Sequence, residues 1–188
     1  MLKRFRAYHL PGQIYGRGDS RHAKKLVILG QGGYAYTVKD VAEQLGYDII
    51  AMLDDKDLLN PLSSFVDHIY NTTYFVPTFG NNEFRLSWID RLQNSGAKLA
   101  TLIHPTAYVS PCAIIHQGTI ILPKAIINRD AVIERGGIVN IGAIVDHGTV
   151  LEEGVHLAPG AIVKGDNRIP RCMKVESGEV IQARQYPL

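Results

Sequence analysis

The chain has 188 residues, room for one large domain or two small ones, and with 46% hydrophobic and 20% charged residues it can bury a core and is not disordered. Twenty basic residues against eighteen acidic ones leave a formal net charge of +2, which gives no electrostatic reason to expect nucleic acid or an anionic membrane as partner. No apolar run approaches the roughly 20 residues of a membrane span, and Cys112 and Cys172 form neither a disulfide framework nor a paired zinc spacing, so a cytoplasmic protein with reduced thiols and no metal is expected. Residues 1–23 are polar, rich in Tyr, Gly and Arg, and lack the continuous apolar stretch of a secretion signal. They read as a flexible arm or a segment that packs on a neighbouring subunit.

Lys25–Leu29 is a short apolar run with β-branched members, a first strand, and it ends in the turn Gly30-Gln31-Gly32-Gly33-Tyr34-Ala35. Residues 36–45 place Val38, Val41, Ala42 and Leu45 on one helical face, and Gly46 stops the helix. Tyr47 to Leu53 is a second strand ending at Asp54 and Asp55, and Thr73 to Phe79 a third. Residues 82–94 form another helix with Phe84, Trp88 and Leu92 on one face. Residues 24–102 therefore make a small Rossmann-like α/β domain of strand-helix-strand units around a glycine-rich turn.

From Ile103 the pattern changes. Stepping by six from Ile103 to Ile181 meets fourteen residues, and all are aliphatic. Four residues after each comes a small one, from Ala107 to Ala161, with Val155 the exception. Six is not a helical period. It fits short strands with a turn in each unit, stacked so that neighbours bury what one unit cannot bury alone. After Ala161 the small position holds Asn167, Met173 and Glu179, which predicts one irregular closing coil followed by a tail at 182–188.

Two groups of residues carry chemistry. The turn matches G-x-G-x-x-A: Gly30, Gly32 and Gly33 let backbone N–H groups approach a phosphate or a planar ring, and Asp54 and Asp55 can accept hydrogen bonds from ribose hydroxyls. The domain is about half of a full dinucleotide fold, which favours a mononucleotide-type ligand. A nicotinamide oxidoreductase would need a second substrate domain that residues 103–181 do not supply. His147 stands at the third position of its hexad, near a corner of the coil, and His156 follows nine residues later. A histidine that titrates near neutrality can take a proton from an amine or hydroxyl as it attacks a carbonyl.

The two halves in this order, with LVILGQGGYA at 26–35, LDD at 53–55, FGNNEFR at 79–85 and above all VNIGAIVDHGTVLEEGVHLAPGAIVKG at 139–165, resemble the sialic acid O-acetyltransferases and the UDP-4-amino-sugar N-acetyltransferases of bacillosamine synthesis. The resemblance implies a Rossmann-like N-terminal domain followed by a left-handed parallel β-helix of hexapeptide repeats, and a homotrimer. It implies a nucleotide-sugar substrate with acetyl-CoA lying between neighbouring β-helices. It gives His147 the role of general base and His156 a substrate contact. Gly30, Gly32, Gly33 and Tyr34 would line the nucleotide pocket, Asp54 and Asp55 would meet the base or ribose, and Asn81 would sit at the rim. Asn140 would lie near the reacting group, and the N–H of Gly165 near the coenzyme.

Three departures stand out. Tyr34 replaces a histidine common in the family, Gly148 replaces an acidic residue that often follows the base, and the regular hexads end early. These leave a non-catalytic sugar-nucleotide-binding or scaffold homologue as the alternative to an acetyltransferase of surface glycan biosynthesis.

Overall fold

The computed structural model describes residues 24–187, and the arm expected at 1–23 lies outside the described residues. The N-terminal part comprises β1 (Lys25–Leu29), α1 (Gly33–Gln44), β2 (Asp48–Leu53), a 3-10 helix (Leu62–His68), β3 (Thr73–Pro77), α2 (Asn82–Asn94) and β4 (Lys98–Leu99). The four strands form one parallel sheet in the order β2-β1-β3-β4. β1 is apolar throughout after Lys25 because both its faces are covered. Leu26 and Ile28 pack with α1 on one side, and Val27 and Leu29 pack with α2 and the 3-10 helix on the other. α1 begins three residues earlier than the sequence reading places it: Gly32 caps the helix without a side-chain bond, so the glycine turn is itself the helix start. The buried face of α2 includes the expected Trp88 and Leu92 but is wider, taking in Arg85, Leu86 and Ile89, while Phe84 is half exposed and packs edge-on against Phe79.

The remainder is a three-sided parallel β-helix of fourteen two-residue strands, β5 to β18. The first face stacks β5 (Leu102–Ile103), β8 (Ile120–Ile121), β11 (Ile138–Val139), β14 (His156–Leu157) and β17 (Lys174–Val175). The second stacks β6 (Tyr108–Val109), β9 (Ile126–Ile127), β12 (Ile144–Val145), β15 (Ile162–Val163) and β18 (Val180–Ile181), and the third β7 (Ile114–Ile115), β10 (Val132–Ile133), β13 (Val150–Leu151) and β16 (Arg168–Ile169). The second residue of each strand is the aliphatic ladder read from the sequence, and it points inward into a single apolar column. Each fully buried aliphatic side chain contributes about 1.5–3 kcal/mol, so the column carries the stability of this half. Small residues four positions on fit the corners, where a larger side chain would meet the ladder. A Cβ at Gly137, for instance, would sit 2.8 Å from Ile133.

A second six-residue repeat runs along the corners. From Gly118 to Arg184, every sixth residue has φ between +57° and +73°, the left-handed region. Seven of these are glycine, and the others are Lys124, Asp130, Asp166, Cys172 and Arg184.

The irregular closing coil expected after Ala161 is not found. β16, β17 and β18 pair in register with β13, β14 and β15. Asn167 takes the small position by satisfying its amide internally: Nδ2 donates to the carbonyls of Lys164 (2.7 Å) and Gln182 (2.9 Å), and Oδ1 accepts from the Tyr186 N–H (2.8 Å). Arg168 N–H in turn donates to the Tyr186 carbonyl (2.7 Å), so residues 182–187 close over the end of the third face. A buried polar group is tolerated when its bonds are made, and that is why hydropathy alone misread this segment.

α2 lies against the corner between the third and first faces. There Gly118, Gly136 and Gly154 stack one per coil, and Leu86 and Ile89 press onto them. The fully buried Arg85 anchors the contact. Nε donates to the Gly136 carbonyl (3.0 Å), Nη2 to the Gly154 carbonyl (2.6 Å), and Nη1 to the Phe79 carbonyl (2.8 Å) and Asn82 Oδ1 (2.8 Å). Arg135 bridges Asp90 of α2 to Glu153 at the rim. A Cβ at Gly154 would lie 2.8 and 2.9 Å from Leu86 atoms, whereas at Gly142, with nearly the same φ, it would meet nothing. Gly154→Ala is therefore expected to add overpacking of about 1–3 kcal/mol to the left-handed backbone cost that Gly142→Ala bears alone. Urea unfolding of the two variants side by side checks the difference.

No helix among the described residues is long and apolar enough to cross a membrane.

Candidate active site

The glycine turn opens into a cleft of about 570 Å³ lined by Gly30, Gln31, Gly32, Gly33, Tyr34, Asp54, Lys56, Asp57, Thr78, Phe79, Gly80, Asn81 and Phe84. Gly30 has to be glycine: at φ +114°, a Cβ would lie 2.6 Å from Thr78 Oγ1, which donates to the Leu29 carbonyl. The first N–H groups of α1 have no side-chain cap and face this cleft, an arrangement that receives anionic oxygens. Of the predicted residues, Gly30, Gly32, Gly33, Tyr34, Asp54 and Asn81 come together here. Asp54 is committed to the turn, because its Oδ2 accepts from Gln31 N–H (2.9 Å) and its Oδ1 from Lys56 N–H (3.0 Å). Asn81 caps α2, accepting from Phe84 N–H (2.9 Å).

Asp55 does not line the cleft. It turns away and accepts from Leu62 N–H (2.9 Å) at the start of the 3-10 helix. Its place is taken by Asp57, which the sequence reading passed over. Asn60 and Gln31 side chains and the Leu59 N–H hydrogen-bond to it and hold its carboxyl below the usual range. Gln31, Lys56 and the facing aromatic pair Phe79 and Phe84 were also missed. The signal available was position: Gln31 and Lys56 lie in the loops that follow β1 and β2, and Phe79 and Phe84 in the loop after β3 and the first turn of α2.

Tyr34, which lines the cleft, stands beside His156, with ring centroids 6.3 Å apart. His156 opens β14 and is buried. Burial first, then the charges of Arg85 and Lys174, push its pKa down to about 4, so it is a neutral hydrogen-bonding group. Asn140 Oδ1 accepts from Ile141 N–H, which directs its Nδ2 to His156 Nε2 (3.3 Å) and leaves the proton on Nδ1. Among the described residues His156 Nδ1 and the Tyr34 hydroxyl are buried polar atoms without a partner. Burial raises the Tyr34 phenol pKa, against the pull of Arg85. Within one chain Asn140 is thus bonded to His156.

His147 occupies a different place, the corner between the second and third faces. It is exposed, in a second cleft with Asp146, Lys164, Gly165, Asp166, Ala183 and Arg184. The ring lies flat on Gly165: a Cβ there would be 2.8 Å from its Cε1 and 3.0 Å from its Nε2. Gly165 is needed because it has no side chain, and its N–H interacts with the Asp146 carboxylate. Asp146 holds the backbone of His147, not the ring, accepting from His147 N–H (2.7 Å) and from Asn128 Nδ2 (3.1 Å) on the coil below. Burial opposes ionisation of Asp146, but these bonds and the nearby ring keep its carboxyl below the usual range. The two clefts share no lining residue. Among the described residues no group of three or more His, Cys, Asp or Glu is placed to hold a metal.

Residues 25–92 match the PglD N-terminal domain family. The acetyltransferase domain of PglB from Neisseria gonorrhoeae FA1090, solved in complex with acetyl coenzyme A, is 32% identical, with 86% of this chain and 83% of that chain covered at a TM-score of 0.80. The chain belongs to the hexapeptide-repeat sugar acetyltransferases. PerB from Caulobacter crescentus, solved with CoA and GDP-perosamine, shares the fold at 24% identity and a TM-score of 0.76, over 87% of this chain and 91% of that one. WeeI from Acinetobacter baumannii AYE shares it at 15% identity and a TM-score of 0.69, over 86% and 92%. The β-helix is therefore the left-handed one of the hexapeptide-repeat acetyltransferases, and the chain has both halves of that architecture.

Proposed function

We propose that this acetyltransferase moves the acetyl group of acetyl-CoA to the amine of a nucleotide-linked amino sugar, with His147 as general base. The amine nitrogen attacks the thioester carbonyl as His147 takes its proton. The C–S bond breaks, and the proton passes to the departing thiolate, leaving an amide and free CoA. The observation that carries this reading is the placement of His147: exposed at a coil corner, its backbone fixed by Asp146, its ring seated on Gly165, with a cleft around it. The PglB and PerB structures, solved with acetyl-CoA or CoA, support the choice of donor.

The nucleotide sugar would enter the cleft at Gly30–Gly33, its diphosphate at the start of α1. Tyr34 and His156 Nδ1, buried and unpartnered, would meet its polar groups. Because that cleft and the His147 cleft lie apart on one chain, the reaction needs a second copy to bring them together, which favours the trimer. The surface is suited to it. Tyr108, Ile126, Ile144, Ile162 and Val180 face outward on the second face, and Ile114, Val132 and Val150 on the third, flanking the His147 corner. On the first face, the corresponding Leu102 and Ile120 are buried beneath α1. Ile144→Arg is expected to leave single chains in sedimentation and to lose turnover without unfolding. A variant of unchanged mass would contradict the assembly. We place the reaction in the cytoplasm, in keeping with the free thiols of Cys112 and Cys172.

The test is release of free CoA thiol when the protein meets acetyl-CoA and UDP-, dTDP- or GDP-linked 4-amino sugars. Tight binding of a sugar nucleotide with no turnover across that panel would favour the non-catalytic reading.

A further inference from the structure

The lane of left-handed corner residues enters the His147 cleft at Asp166 and Arg184, and one coil before Asp166 it holds Gly148, the residue that follows His147. At Gly148, a Cβ would lie 2.9 Å from Asp166 Oδ1 and from no other side chain. The space beside His147 that a side chain at 148 would fill is thus taken by a carboxylate from the next coil. Asp166 is held by its backbone and by one carboxylate oxygen. The Asp166 N–H donates to the His147 carbonyl (3.2 Å), and Arg184 Nη2 donates to Oδ2 (3.2 Å), which leaves Oδ1 directed over Gly148. Aspartate is among the few non-glycine residues that adopt left-handed φ readily, so a carboxylate can stand at this corner without breaking the coil.

Resting on the assignment of His147 as base, we propose that Asp166 is a positioning residue for it, holding a negative charge beside the imidazolium that forms when His147 takes the substrate proton. The other charged groups at this corner are already engaged. Asp146 is bonded to the His147 backbone and Asn128, Lys164 Nζ to Gln182 Oε1 (2.6 Å), and Arg184 to Asp166 itself. On the coil below, Arg129 and Asp130 pair with each other (3.2 Å). Among the described residues Oδ1 of Asp166 accepts no hydrogen bond, and it shares the cleft with the ring. Gly148 is the complement of this arrangement, since without a Cβ it gives Asp166 room.

Asp166→Asn keeps the shape, the left-handed backbone and an acceptor for Arg184, and removes only the charge. The expected result is a fall of about tenfold in kcat for thiol release with little change in the sugar KM. The acidic limb of the pH–rate profile should move to lower pH, because a neighbouring anion favours the protonated form of a base. Gly148→Ala, which displaces Oδ1, should move the limb in the same direction. Asp130→Asn, a charge loss on the far side of Gly148, should leave it in place. An Asp166→Asn profile that overlays wild type, while His147→Ala is inactive, overturns the role of Asp166 alone. Activity retained in His147→Ala overturns the base assignment beneath it. Equal melting temperatures of wild type and Asp166→Asn separate either result from a folding defect.

Discussion

Replacing His147 with alanine is expected to lower kcat for thiol release by about 10²–10⁴-fold, the range a positioned general base contributes, while the KM for the nucleotide sugar changes little. The split follows from the geometry. His147 lies outside the cleft at the glycine turn, so sugar binding in that cleft does not depend on its ring. It is also exposed, its ring resting on Gly165, so stability should stay within about 0.5 kcal/mol of wild type. A fall in kcat with a preserved melting curve is the signature of lost chemistry. Near-normal turnover in His147→Ala would require a different base, and among the described residues His156, neutral and bonded to Asn140, is buried away from the His147 cleft.

The largest stability effect is expected at Arg85. Burial lowers its pKa to about 10, so the guanidinium remains charged at neutral pH. Its bonds join α2 to the carbonyls of Gly136 and Gly154, on two successive coils, and to Phe79 at the edge of the nucleotide cleft. Arg85→Ala removes the donors and strands these acceptors in a dry interface. Hydrogen bonds from a charged donor contribute about 1.5–3 kcal/mol each, so losing this set should cost several kcal/mol and lower the melting midpoint of a chain of this size by about 10 °C. Arg85→Lys is expected to recover little, because one ammonium cannot span carbonyls that a planar fork reaches from opposite edges. Since the lost contact is the joint between the two halves, the thermal transition should also split, the α/β half melting before the β-helix. A single unshifted transition would contradict this reading of Arg85.

Much of the fold is legible because its two periodicities are local. The inward ladder from Ile103 to Ile181 is an unbroken aliphatic series, and β1 is apolar because it is covered on both faces. Two things escape a hydropathy reading. One is the left-handed corner lane. Glycines at 118, 136, 142, 148, 154, 160 and 178 mark it, but the polar residues that complete it hide the period. The other is any buried polar residue whose partners are distant in sequence. Arg85 bonds to carbonyls at 136 and 154, and Asn167 completes its set with Gln182 and Tyr186, so neither has a local pattern that announces burial. For the same reason Asn167 reads as the end of the coil when it is part of a regular one. At the site, the glycine turn and the two histidines are visible as motifs, whereas the exchange of Asp55 for Asp57 depends on which carboxylate the 3-10 helix claims as its cap.

A structure of the acetyltransferase with CoA and a nucleotide-linked 4-amino sugar bound tests the central claim most directly. The sugar should lie in the glycine-turn cleft of one copy, with its amine within about 3.2 Å of a His147 ring nitrogen from an adjoining copy and the CoA thiol beside the same ring. A sugar seated in that cleft with its amine remote from every His147 in the assembly would contradict the account.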